Sequence, residues 1–411
     1  MNDQADMLIH PTSRLLSLCC GLIAWVLVGE VGAYHPYVIA TTPTQNNHTT
    51  LTNSNIVGTF SVGMSAATTT TFVVQGSMTG KRAGIYSGGT TTTITFDPTS
   101  DFIPGEDVEV IFTGGATTGY TNTVNDPIFS GGHIVRFRTA VGAGPVNFTA
   151  SRPIGPGTSS ATTGLAVADI DGDGDLDVVV GNDGTQNVAY LQTLAAFTTS
   201  ANYGSGAEST KDLALGDLNG NGKVDVVLAE GASTSLAYRN NGSGTFNAGA
   251  TSLAAGDVRG VEMGDFNGDG HLDIALGFHS LLNKLVITDG AGAVSRTNLW
   301  GVSGTDTRSI AVGDTDNDGD LDVAVGNNTA NQNVVYLNDG VGNIAAGTDN
   351  FGSGADNTNS VVLGDINADG FLDVGSGNAA QQNAFYLNDG AGNFTGGTIN
   401  FGTGTDNTLS L

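Results

Sequence analysis

Between residues 56 and 138, short bursts of apolar residues alternate with polar ones and are separated by Gly and Pro clusters. This pattern predicts strands over Ile56 to Ser61, Thr71 to Gln75, Thr92 to Phe96, Val108 to Phe112 and Ile134 to Arg138. In the last of these, Val135 and Phe137 alternate with Arg136 and Arg138, the period-2 signature of a half-buried strand. Five or more short strands in about 105 residues predict a β-sandwich domain over residues 34–139. The Lys81-Arg82 and Arg136/Arg138 pairs read as an exposed face of that domain.

From Asn147 onward the apolar pattern repeats as a unit. A nine-residue segment rich in Asp, Asn and Gly recurs at Asp169–Asp177, Asp217–Asp225, Asp265–Asp273, Asp314–Asp322 and Asp365–Asp373, with starts 48, 48, 49 and 51 residues apart. Around the fourth copy, Ile310-Ala-Val leads in and Leu321-Asp-Val-Ala-Val follows, then Asn333-Val-Val-Tyr-Leu and Asn343-Ile-Ala-Ala-Gly. That gives about four strands per unit. Four short strands cannot bury both faces alone, whereas radial stacking buries each sheet against its neighbours, which is the propeller solution. A linear β-solenoid is the runner-up, but its coils are shorter than this period.

The nine-residue segments carry the chemistry. Positions 1, 3, 5 and 9 are always Asp or Asn, position 6 is always Gly, and position 8 is always Leu or Val. Position 7 varies freely as Asp175, Lys223, His271, Asp320 and Phe371. Calcium takes about 6–8 oxygens from carboxylates, amides, carbonyls and water. Alternate oxygen-bearing positions suit that demand, Gly permits the sharp turn, and a carbonyl ligand at position 7 leaves its side chain unconstrained. An EF-hand needs Glu at position 12 and flanking helices, but position 12 here is Val180, Leu228, Leu276, Val325 and Ser376 between strand-like flanks. A plain hairpin turn needs one Asp-Gly or Asn-Gly pair, not four oxygen side chains on a fixed grid. Magnesium prefers water and near-ideal octahedra to such protein-rich cages.

Charge sharpens this reading. The 411-residue chain carries 40 acidic and 13 basic residues, a net charge of −27. Eighteen of the acids fall in the five segments, about a tenth of the chain, so the charge is concentrated as cation ligands would be. A chain this acidic offers no footprint for nucleic acid or anionic lipid.

Two resemblances follow from these residues. Phe60-Ser-Val-Gly-Met64, Phe96-Asp-Pro98, Pro104-Gly-Glu106 and Phe137-Arg-Thr139 resemble the bacterial Ig-like domain of surface-layer proteins, which implies a spacer or adhesive module without catalytic residues. Residues 140–146 (AVGAGPV) then read as a linker, with the repeat region at 147–411. The repeats resemble the FG-GAP or VCBS repeats of integrin-α-like propellers, which implies four-stranded blades with calcium loops joining the first two strands. Carried over, the side-chain ligands are Asp169, Asp171, Asp173 and Asp177; Asp217, Asn219, Asn221 and Asp225; Asp265, Asn267, Asp269 and Asp273; Asp314, Asp316, Asp318 and Asp322; and Asp365, Asn367, Asp369 and Asp373. Position 7 joins each set through its carbonyl. Loops one and four hold four ligand carboxylates, three and five hold three, and loop two holds two beside Lys223, so loop two is expected to be weakest.

Arg14 ahead of the apolar run Leu15 to Val28, with Val31-Gly-Ala33 behind it, reads as a signal peptide over residues 1–33. The run is about 14 residues, short of the roughly 20 that span a bilayer, so no membrane span is expected after cleavage. Both cysteines, Cys19 and Cys20, leave with it, and no disulfide is expected in the mature chain. The final residues Phe401 to Leu411 repeat Phe351 to Val361 and stop before a sixth loop, while Phe148 to Gly155 reads as the last strand of a blade. The expectation is an all-β chain with an Ig-like sandwich and an incomplete propeller, cut at the sixth blade of six or more, seven by family resemblance. The expected role is an exported, non-catalytic, calcium-rigidified adhesion or binding module for an extracellular protein or carbohydrate. The competing role is the propeller of a secreted, lyase-like polysaccharide enzyme. No His-Glu-x-x-His, Gly-x-Ser-x-Gly or phosphate loop occurs.

Overall fold

The computed structural model describes residues 38–45, 47–65, 67, 71–113, 133–140, 161–193, 196–231, 233–246, 250–328, 331–344, 349–367, 369–395, 397–404 and 407–411. The signal segment, linker residues 141–146 and the strand expected at Phe148 to Gly155 lie outside them. The described residues form strands and turns, without a helix long and apolar enough to cross a membrane.

The first nine strands are β1 (Val38–Thr42), β2 (Asn47–Thr50), β3 (Ile56–Phe60), β4 (Phe72–Gly76), β5 (Gly80–Lys81), β6 (Gly84–Ser87), β7 (Thr93–Pro98), β8 (Asp107–Phe112) and β9 (His133–Thr139). They make two sheets, β1-β3-β7-β6 and β2-β9-β8-β4-β5. Phe60, Phe72, Phe96, Phe112 and Phe137 from both sheets fill the core between them. The five expected strands are present within a residue or two of their expected ends.

Five four-stranded antiparallel blades follow. Blade one is β10 (Ala161–Ala168), β11 (Asp177–Asp183), β12 (Asn187–Thr193) and β13 (Ala196–Tyr203). Blade two is β14 (Thr210–Gly216), β15 (Asp225–Glu230), β16 (Thr234–Tyr238) and β17 (Thr251–Ala255). Blade three is β18 (Val258–Gly264), β19 (Asp273–Phe278), β20 (Asn283–Thr288) and β21 (Val294–Trp300). Blade four is β22 (Asp306–Gly313), β23 (Asp322–Asn328), β24 (Asn333–Tyr336) and β25 (Asp349–Phe351). Blade five is β26 (Thr358–Gly364), β27 (Asp373–Asn378), β28 (Asn383–Tyr386) and β29 (Thr398–Phe401). In blade four, most of the outer strand expected at residues 343–347 lies outside the described residues. Positive φ at Gly340 and Gly342 turns the chain, Ile344 makes only a bridge to Asn338, and the full pairing is Asn333 with Phe351.

The first strands β10, β14, β18, β22 and β26 pack in chain order, each on the next. Buried Asn–Thr contacts tie successive blades: Asn187 Nδ2 donates to Thr210 Oγ1 at 3.0 Å and Asn333 Nδ2 to Thr358 Oγ1 at 2.8 Å. The final residues continue this pattern. Asn383 Nδ2 donates to Thr408 Oγ1 at 2.8 Å, and Leu411 N to Ser360 Oγ at 3.1 Å, as Val361 N does to Ser309 Oγ. At the other end, Leu165 and Val167 on β10 are 61% and 42% exposed, whereas Leu213 and Leu215, one repeat later, are 7% and 8%. The described ring is open at that face.

The Ig-like domain does not stand off as a spacer. Its second sheet docks on the loop side of the propeller. Met78 enters the core with Ala168, Ile170 and Leu213, and its carbonyl accepts from Asp217 N at 2.8 Å. Val73, Ile111 and Ile134 close on Leu372, and Ile134 N donates to Gly370 O at 3.0 Å. The expected exposed basic face is corrected accordingly. Arg136 pairs with Glu109 and donates through Nη1 to Leu363 O at 3.0 Å, while Arg82 bonds the carbonyls of Ser100 and Asp101. Arg138 remains at the surface, paired with Asp107.

Candidate metal centre

Each nine-residue segment joins the first and second strands of its blade, as the repeat pattern implies. Position 1 follows the innermost strand, and position 9 opens the second. Between them the loop is closed by its own side chains. The position-1 carboxylate accepts from the position-6 Gly amide in all five loops: Asp169 from Gly174 at 2.9 Å, Asp217 from Gly222 at 2.6 Å, Asp265 from Gly270 at 2.8 Å, Asp314 from Gly319 at 2.9 Å and Asp365 from Gly370 at 3.0 Å. Those glycines have φ between +78° and +100°, a left-handed backbone that a Cβ disfavours. Position 5 accepts from the amide of position 7 throughout, at 2.9–3.0 Å, in Asp173, Asn221, Asp269, Asp318 and Asp369. The position-7 residues Lys223 and His271 are exposed, and Lys223 Nζ donates to Asn241 O at 2.7 Å.

Position 9 does more than the sequence reading assigned to it. Each of these carboxylates is buried and accepts two backbone amides, one from position 2 of its loop and one from the end of the third strand or just beyond it. Asp177 takes Ile170 N at 2.9 Å and Gln192 N at 2.8 Å; Asp273 takes Phe266 N at 3.2 Å and Thr288 N at 2.9 Å; Asp373 takes Ile366 N at 3.0 Å and Asn388 N at 2.8 Å. Asp225 and Asp322 repeat the arrangement with Leu218 and Asn240, and with Thr315 and Asn338. A carboxylate oxygen has two lone pairs, so a staple at position 9 can also face a cation.

A second set escaped the sequence reading. Asn240, Asn338 and Asn388 each donate a side-chain amide to the preceding blade's loop: to Ile170 O at 2.6 Å, Phe266 O at 2.8 Å and Thr315 O at 2.7 Å. The signal was present as the Asn that precedes the Asn-Gly or Asp-Gly turn after the third strands of blades two, four and five.

In loops one and four the carboxylates converge. Oxygens of Asp169, Asp171 and Asp177, and of Asp314, Asp316 and Asp322, lie within 4.8 Å of one another. These are the two loops with four ligand carboxylates. Burial, then mutual repulsion, pushes their acids upward: Asp177 to about 6, and Asp314 and Asp322 well above the carboxylate range. Asp225 rises to about 6 and Asp273 to about 7 for the same reasons. Loop four also holds buried oxygen without a partner. Asp316 Oδ1 has no hydrogen-bond donor, nor has the amide of Asn317, which stands where loops one to three have Gly. Converging, desolvated carboxylates with a free lone pair suit a hard divalent cation.

The Ig-like sheet reaches these loops. Glu109 Oε1 accepts from Asp314 N at 3.3 Å, and a Cβ on Gly80 would lie 3.5 Å from Asp265. The Lys81 charge opposes the rise in Asp265 and Asp320.

Comparison with known proteins agrees with this architecture. The FG-GAP-like repeat profile matches residues 128–180, 169–228, 217–276 and 314–376, together just over half of the chain, and the bacterial Ig-like domain profile matches residues 33–139. No similar protein is found among curated sequences. Among solved structures, the chain is similar to Raptor from Chaetomium thermophilum at 11% identity and a TM-score of 0.41, covering 61% of this chain and 21% of that one. It is also similar to the computationally designed Ika8 protein at 13% identity and a TM-score of 0.42, covering 62% and 66%, and to the Dos1 propeller at 9% and 0.40, covering 60% and 62%. The chain thus spans between a fifth and about two thirds of the length of these structures. On the extent of the repeat match, and with blades and loops where the repeat places them, this chain belongs to the FG-GAP-like repeat family, with a bacterial Ig-like domain ahead of its repeats.

Proposed function

We propose that the chain is a calcium-binding, non-catalytic binding module that works outside the cell. The observation that carries this is the convergence of buried carboxylates in loops one and four, with Asp316 Oδ1 left without a partner. Calcium would be held by positions 1, 3, 5 and 9 of each loop and by the position-7 carbonyl. It would supply the counter-charge that these desolvated acids lack, and so fasten the first two strands of a blade. Extracellular calcium modules work at about 0.1–1 mM, a supply that suits a chain whose N-terminal segment reads as an export signal. The acids that could otherwise pass for catalytic pairs are engaged as loop closures and staples. The bacterial Ig-like domain fits an extracellular or surface setting, and the expected partner is a protein or carbohydrate met there.

The test is unfolding of the full chain with and without calcium. A ligand bound only by the folded state at a hundred times its Kd adds about 2.7 kcal/mol per site. Melting should rise steadily with calcium and fall in chelator. Identical melting in millimolar calcium and in chelator would sink the reading.

A further inference from the structure

A cavity of about 500 Å³ lies between the second sheet of the Ig-like domain and the first strands of blades three to five, with Asp365 of loop five at its edge. Its propeller wall is largely apolar, with Met263, Val312 and Leu363 among the lining residues. Its rim carries the exposed Gln45, His48 and Asp107, so the cavity opens to solvent. A volume of this size is typical of small-molecule sites, where a few polar groups on an apolar wall fix the occupant.

One of those polar groups lacks a donor. Gln75 on β4 is 5% exposed, and its Oε1 has no hydrogen-bond partner. A buried acceptor left unmade is costly and demands an explanation. Glu262 on β18 faces the same cavity, and the charged group that acts on it is another carboxylate, Asp212 on β14. The arginines nearby cannot neutralise it. Arg136 is committed to Glu109 and Leu363 O, and Arg138 to Asp107. The cavity therefore presents an unpaired acceptor and a carboxyl group without a cationic partner within a partly apolar wall, and the missing complement is a cation that brings its own donors and would hold that carboxyl ionised. A bare metal ion would leave most of the space unfilled.

We propose that this cavity binds a small organic cation, a primary ammonium of diamine size, held by Glu262 and Gln75. An ammonium carries three donors and a full charge, and a short alkyl stem would lie along Met263 and Leu363. Such an occupant would bridge the two domains, because Gln75 belongs to one and Glu262 to the other.

The experiment is calorimetric titration of the full chain with 1,4-diaminobutane, at saturating calcium so that the diamine cannot report on the loops. The neutral 1,4-butanediol is titrated in parallel. The diamine should bind one to one and the diol should give no heat. Glu262→Gln should weaken the diamine at least tenfold, and so should Gln75→Leu. Asp97→Asn removes an exposed acid on the other sheet and should leave binding unchanged. Melting curves check each variant; if Glu262→Gln does not fold, Gln75→Leu alone decides. Absent binding, equal binding of the diol, or equal loss in Glu262→Gln and Asp97→Asn would each overturn the proposal.

Discussion

Trimming Leu372 and Ile134 to alanine, singly and together, measures how firmly the Ig-like domain grips the fifth blade. Leu372 is 1% exposed and Ile134 3%, and they share one small cluster with Val73 and Ile111. Leu372 is position 8 of loop five, so its side chain fixes the exit of a candidate cation loop as well as the domain contact. Leu→Ala at such a site costs about 3 kcal/mol, and Ile→Ala a similar amount, as lost transfer energy plus the cavity left behind. Because the two side chains pack in the same cluster, the double variant should cost less than the sum, by about 1–2 kcal/mol. Ile94 lies inside the sandwich core, so Leu372→Ala with Ile94→Ala should be additive within about 0.5 kcal/mol. Native-state hydrogen exchange resolves the opening of β8 and β9 from that of the blades. Leu372→Ala should speed exchange in β9, although the substitution lies more than two hundred residues away. Additivity of Leu372 with Ile134, or unchanged exchange in β9, would refute the docking argument.

Three further expectations are sharper than a general loss of stability. Gly174→Ala meets no atom within 4 Å but must hold φ at +91°, so it should cost about 1 kcal/mol by urea unfolding; Gly370→Ala has the same φ and also meets His133 Nδ1 at 2.5 Å, and should cost visibly more. Asp217→Ala with Asp225→Ala should remove the low-affinity phase from a calcium titration, and loss of the tightest phase would reverse the ranking of the loops. Burial, then the Asp212 carboxylate, pushes Glu262 up to about 8. An acid whose folded value lies above its unfolded one favours folding at low pH and loses that advantage as pH rises through the folded value. Through Glu262, unfolding between pH 6 and 9 should therefore lose about 2 kcal/mol, reduced from the full shift by partial exposure; measured at saturating calcium, Glu262→Gln should shrink the pH-dependent loss by that amount.

Much of this architecture was legible because its signals are local. Alternation at Ile134 to Arg138 gave β9 almost to the residue, and the Asp-x-Asn/Asp grid placed all five loops between the correct strands. What escaped notice depends on partners distant in sequence. The alternation of Arg136 with Val135 is the same whether Arg136 faces water or Leu363. Glu109 and Asp314 lie 205 residues apart, and no periodicity links them. The short β2 and β5 were missed because their four and two residues carry too little pattern, and each is held by pairing to a longer neighbour. Position 9 was read as a ligand alone, since its staple role requires knowing which amides approach it. The cavity between the domains had no sequence signal, as Gln75 and Glu262 meet only through docking.

The side-chain amides of Asn240, Asn338 and Asn388 each cross from one blade to the loop of the blade before it. A ring held this way behaves like a row of buttons, in which undoing one slackens the cloth around the last. Breathing of a single sheet therefore loosens its predecessor's turn, and slack in that turn loosens the sheet in return.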